Sequence, residues 1–96
     1  MLYMVIEHFQ GSDPLPVYRR LRDAGRDLPD GLRYVDSWME VGLGRCFQLM
    51  ETDDPALFQT WALHRTGCGV TFEVVPVITS ARTQAAVAPL RSANRT

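Results

Sequence analysis

His8, Glu40 and Cys46 offer an imidazole, a carboxylate and a thiol, a set that supports base-activated nucleophilic chemistry if folding brings the three together. A second set, Tyr34, Asp36, Trp38, Gln48 and Glu73, suits ligand binding better than catalysis. Trp38 gives a flat apolar wall, Gln48 a donor and an acceptor, and the carboxylates partners for hydroxyl or amine groups. A carboxylate held among Trp and Met has its charged form disfavoured and can act as a base without any cofactor. Neither set has the paired spacing of metal ligands. His64, beside Arg65, reads as an exposed residue in the last turn of a helix, where the helix dipole favours it. Gly42-Leu43-Gly44 has neither the lysine nor the helix start of a phosphate loop and reads as a hairpin turn. The residues call for no metal and no cofactor.

The chain must then supply strands that carry these side chains. Residues 2–9 have strand composition, and GSDP at 11–14 gives a turn and a helix start, with Asp13 as cap and Pro14 at the first helical position. Val17, Leu21, Ala24 and Leu28 form an apolar stripe that predicts a helix as far as Pro29-Asp30-Gly31. A hairpin follows, with strands near 32–40 and 45–52. Asp54-Pro55 repeats the cap and opens a helix to about residue 65, with Leu57, Phe58, Trp61 and Ala62 inward. Gly67-Cys68-Gly69 ends it, and VTFEVVPVI at 70–78 is the last strand. Two halves that each run strand, Asp-Pro cap, helix, strand predict a ferredoxin-like βαββαβ sandwich of the α+β class. Right-handed crossovers give an antiparallel sheet of order 4-1-3-2 with both helices on one face. Residues 1–79 form this domain, and 80–96 form a short helix, ended by Pro89, or a mobile tail.

With helices on one side, the other face of the sheet is open. Alternation along the strands places Val35, Met39, Phe47, Leu49, Phe72 and Val74 under the helices. Tyr34, Asp36, Trp38, Glu40, Cys46, Gln48, Met50, Glu73, Val75 and Val77 then line the open face, with His8 at its edge. Trp38, Tyr34, Met50, Val75 and Val77 make a patch too apolar for a monomer surface, and a second sheet would cover it. The expected partner is a second copy of the chain, pairing through the open faces.

Composition narrows the classes further. Ninety-six residues make one domain, whose small core would benefit from a dimer interface. Net charge is −1 with no basic stripe, which argues against nucleic acid. No apolar run reaches the roughly 18 residues of a membrane span. The start, MLYMVIEHF, reads as a first strand and not a signal peptide, so the expected location is cytoplasmic. Both cysteines are expected to be free thiols. Cys46 and Cys68 open strands separated by the first strand, near twice the about 4.8 Å strand spacing and beyond disulfide reach.

The runs MLYMVIEHF, LPDGLRYVDSWMEV, RCFQLMETDDPALFQTW and FEVVPVITS resemble a small bacterial family of unknown function, domain of unknown function three-three-zero-three. ALHRTGCG at 62–69 departs from the longer apolar and acidic helix end of similar members. The resemblance implies the fold of the dimeric α/β-barrel superfamily and a homodimer, and it implies no established reaction. Three functions remain in view: a binder of a small, partly aromatic molecule; a cofactor-independent enzyme of monooxygenase or isomerase type; and a purely structural or regulatory dimer.

Overall fold

The computed structural model describes residues 1–65 and 69–93, with side chains through residue 91. The element order is β1 (Leu2–Phe9), α1 (Leu15–Ala24), β2 (Arg33–Met39), β3 (Arg45–Glu51), α2 (Ala56–His64), β4 (Val70–Val77) and α3 (Ser80–Ala93). All strand pairs are antiparallel in one sheet of order β2-β3-β1-β4, the expected order read from its other edge. The chain is an α+β protein with the ferredoxin-like arrangement. Among the described residues no helix is long and apolar enough to cross a membrane.

Helices α1 and α2 both start on the Asp-Pro device. Asp13 Oδ1 accepts the Leu15 N–H at 3.0 Å, and Asp54 Oδ1 accepts the Ala56 N–H at 3.1 Å. The prolines between them already have helical dihedrals, and their missing N–H groups would have had no partner in a first turn.

Helix α1 is shorter than its apolar stripe implies. It stops at Gly25, which has φ +68° and whose N–H bonds the Leu21 carbonyl. Glycine adopts that left-handed φ at no steric cost, so it ends the helix before the Pro29-Asp30-Gly31 turn. The chain released at Gly25 swings Arg26 back against the domain. Its carbonyl accepts the Trp61 indole N–H at 3.1 Å, and its guanidinium lies 3.6 Å from the centre of the Tyr34 ring.

The core lies between the sheet and the helices. Tyr3, Val5, Leu32, Met50, Phe58 and Trp61 form its main cluster, and Phe9, Val17 and Cys46 form a second. Tyr3 meets Phe58 edge-on with ring centres 5.0 Å apart. Phe58 and Trp61 are core, as their helical spacing predicts. Pro76 sits in β4, an edge strand, where a missing N–H is tolerated.

Two departures decide which side chains face the helices. Strand β3 has the opposite phase from that expected. Register pairs Tyr3 with Met50, Val5 with Gln48 and Glu7 with Cys46, so all six lie beneath the helices, and Phe47 and Leu49 take the open face. In β2 the register with β3 shifts between Tyr34 and Asp36, a bulge centred on Val35. The extra residue puts Tyr34 and Ser37 on the helix side and Asp36 and Trp38 on the open side. The phases of β1 and β4 agree with expectation, with His8, Glu73, Val75 and Val77 on the open face.

Helix α3 runs through Pro89 to Ala93 instead of stopping at the proline. Its flank is exposed, so water can satisfy the carbonyl one turn before the proline. The helix is exposed along nearly its whole length, and the molecule measures 59 Å along its longest axis and 17 Å along its shortest. The expected stop at Gly67-Cys68, the Cys68 thiol and the end of the tail lie outside the described residues.

Candidate functional site

The nucleophilic set does not assemble. His8 stands opposite Arg45 and Thr71 on the open face, and its Nε2 bonds Glu73 Oε1 at 2.5 Å. Glu40 is held by Arg45, whose Nε and Nη2 donate to Glu40 Oε2 at 2.9 and 2.6 Å. Cys46 lies on the other side of the sheet beneath the helices.

Burial raises the Cys46 thiol to about 11, with the Glu7 charge adding to the rise and Arg26 opposing it. That is the setting of an inert structural thiol. Cys46 is free of any disulfide. In the folded protein at about pH 8, where an ordinary thiol near 8.5 already reacts, the Cys46 peptide should escape alkylation until denaturant is added. Peptide mass mapping reads this directly, and rapid labelling of the native protein would contradict the burial.

The ligand set is divided as well. Asp36, Trp38 and Glu73 face the open side, with Trp38 51% exposed. Tyr34 and Gln48 face the helices. Tyr34 Oη and Ser37 Oγ share a hydrogen bond of 2.5 Å, and Gln48 is 5% exposed. The open face thus holds Asp36, Trp38 and Glu73 without Tyr34 and Gln48. Its centre is apolar: Leu2, Met4, Ile6, Phe47, Leu49, Trp38, Val75 and Val77. Its margin is polar, with ion pairs Arg33–Glu51 and Arg45–Glu40 and the His8–Glu73 hydrogen bond.

The unexpected polar site is on the helix side. Glu7 from the middle of β1 is 1% exposed, Gln48 from β3 5%, and Arg65, immediately after α2, 4%. All three line one cavity of about 80 Å³, closed by Val17, Tyr18 and Leu21 of α1 and by Arg26 from the loop after Gly25. Glu7 Oε2, Gln48 Oε1 and Arg65 Nε and Nη1 are buried without a hydrogen-bond partner among the described residues. Buried polar atoms are normally paired, and leaving one unpaired costs about 1–3 kcal/mol. Three such side chains converging on one space mark a place where something else supplies the partners.

Electrostatics sharpen the picture. Burial pushes the Glu7 carboxyl above the ordinary carboxylate range, against the opposing pull of the Arg65 and Arg26 guanidiniums. Desolvation therefore outweighs the nearby positive charge, because neither guanidinium bonds the carboxylate directly. Burial, Cys46 and Glu7 also push the Tyr18 phenol up. Arg65 itself stacks on the Trp61 ring, with its guanidinium carbon 5.1 Å from the ring centre. Trp61 thus supports both arginines, one through its ring and one through its N–H.

Sequence reasoning had a signal for Glu7. Placing His8 on the open face sends Glu7 under the helices, since neighbouring strand residues face opposite sides. A carboxylate among Tyr3, Val5 and Phe9 is then a buried charge, which is rare without a function or a partner. Arg26 and Arg65 gave no comparable signal. Both sit in runs of helix-polar residues, and only the early stop at Gly25 and the end of α2 turn them inward.

No curated protein and no solved structure matches the chain. A family model does, over residues 1–91, and the sheet order, the paired Asp-Pro helix starts and the buried Glu7–Gln48 row are thus features of a chain that belongs to the family described as Domain of unknown function (DUF3303).

Proposed function

We propose that this protein binds a small organic molecule in the cavity between its sheet and its helices, and that it does so as a homodimer. The observation that carries the first part is the convergence of Glu7, Gln48 and Arg65 on one cavity, each nearly fully buried and each with a polar atom that has no partner among the described residues. Binding pockets combine apolar walls with a few such polar groups, and here Phe9, Val17 and Leu21 supply the walls. A space of about 80 Å³ is well below the roughly 150 Å³ of a cavity that holds benzene. The ligand on this side is therefore small and not aromatic; the aromatic wall of Trp38 belongs to the other face.

The second part rests on the open face. Eight apolar side chains ringed by two ion pairs and the His8–Glu73 hydrogen bond have the anatomy of a protein interface, an apolar centre with a polar margin. A second copy presents the same patch, and two such faces pack as the two halves of a barrel.

A cofactor-independent acid–base reaction in the same cavity is the second reading. The upward shift of the Glu7 carboxyl favours it, because a carboxyl poised nearer neutrality exchanges protons with a bound substrate more readily.

A fragment screen read by amide-detected NMR tests the binding reading. The Gln48 side-chain amide resonances should move with small polar fragments, and a Gln48→Leu chain should bind them more weakly while staying folded. A screen in which no fragment perturbs Gln48, Glu7 or Tyr18 would overturn it.

A further inference from the structure

The unpaired atoms in the cavity are of opposite kinds. Glu7 Oε2 and Gln48 Oε1 are acceptors, while Arg65 Nε and Nη1 are donors that carry positive charge. An inorganic anion without a proton, such as chloride or sulfate, would satisfy Arg65 and face two acceptors with nothing to donate. A simple alcohol could donate to Glu7 or Gln48 and accept from Arg65, but it would bring no negative charge to the guanidinium. The complementary ligand has an anionic acceptor at one end and a hydroxyl donor at the other.

Size and charge narrow it further. A cavity of about 80 Å³ is about half the roughly 150 Å³ that holds benzene, room for a two- or three-carbon skeleton. With Glu7 ionised, the three charged side chains lining the cavity, Glu7, Arg26 and Arg65, sum to one positive charge. A monoanion cancels that charge, whereas a zwitterionic amino acid leaves it in place. Buried uncompensated charge is strongly disfavoured, so the monoanion is preferred.

We infer that the ligand of the Glu7–Gln48–Arg65 cavity is a two- or three-carbon 2-hydroxycarboxylate, its carboxylate on Arg65 and its hydroxyl donating to Glu7 or Gln48. The inference rests on the proposal that this cavity binds a small molecule. Its atoms fix the orientation: a hydroxyl beside Glu7 is also where a carboxyl could take up or return a proton.

The test is a titration of the full chain with glycolate and lactate, monitored at the Gln48 side-chain amide and the Arg65 Nε–H. Propionate, 1,2-propanediol and alanine serve as controls that remove the hydroxyl, remove the carboxylate, or replace the hydroxyl with an ammonium. Glycolate or lactate should bind at least about tenfold tighter than each control, as expected for a hydrogen bond to a charged or buried partner. Gln48→Leu should weaken glycolate more than propionate. Equal affinity for propionate, or tighter binding of alanine, would overturn the inference. If a different fragment moves Gln48 while no hydroxycarboxylate does, the inference fails and the binding reading stands. If nothing perturbs the cavity, both fail.

Discussion

Replacing Glu7 with Gln should raise the melting temperature above neutral pH by at least about 4 °C, and it should change ligand affinity without abolishing it, because the Gln amide oxygen still accepts a hydrogen bond. The first effect follows from burial. Glu7 is nearly fully buried with an oxygen that has no partner among the described residues, and its carboxyl is held above the ordinary range. At a pH above the unfolded value the unfolded chain has released this proton while the folded chain still holds it. The folded state then binds more protons, so stability falls as pH rises from the ordinary glutamate range through the raised folded value. Above that value the whole penalty is present.

Gln keeps the shape and discards the charge, so the penalty and its pH slope should both vanish. Glu51 acts with the opposite sign, because Arg33 holds its carboxyl down and that contribution is lost as pH falls. It is common to both chains and cancels in the difference. Thermal unfolding of the two proteins across the mildly acidic to mildly alkaline range is the measurement. A Glu7→Gln chain that is less stable at every pH would mean that Glu7 is paired and structural.

Met4→Asp should convert a dimer into a monomer. Met4 lies at the centre of the open face, between Leu49 of β3 and Val75 of β4. A carboxylate there would be desolvated twice in a symmetric interface, once from each copy. A rise in the dimer dissociation constant of at least about 100-fold, near 3 kcal/mol, is expected. Sedimentation or native mass spectrometry should find the wild type at twice its 10.8 kDa chain mass and the variant at the chain mass. A wild type that stays monomeric at micromolar concentration, or a Met4→Asp chain that dimerises equally well, would refute the pairing.

How far the sequence carried this picture depends on the element. The order of strands and helices was legible because the Asp-Pro caps and the turn residues are local signals, and local chemistry sets the starts of α1 and α2. The side on which β3 faces the helices was not. Cys46, Gln48 and Met50 are no more apolar than Arg45, Phe47, Leu49 and Glu51, and alternation fixes a phase without saying which set is covered.

An apolar open face makes the ambiguity worse, since both sides of the sheet then carry large hydrophobes. The bulge at Val35 separated Tyr34 from Asp36 and Trp38 within one strand, and no glycine marks it. The expected pocket was therefore assembled from two faces. Gln48 is the one member of it that lies in the cavity, while Tyr34 acts from beside it by carrying the Arg26 guanidinium and bonding Ser37.

The most direct test of the central claim is a high-resolution crystal structure of the protein as purified, read at the Glu7–Gln48–Arg65 cavity. Continuous density for a bound organic molecule, within hydrogen-bond distance of Arg65 and of Glu7 or Gln48, is the predicted result. A cavity filled by waters that satisfy all three side chains, or closed by a direct Glu7–Arg65 ion pair, would contradict it.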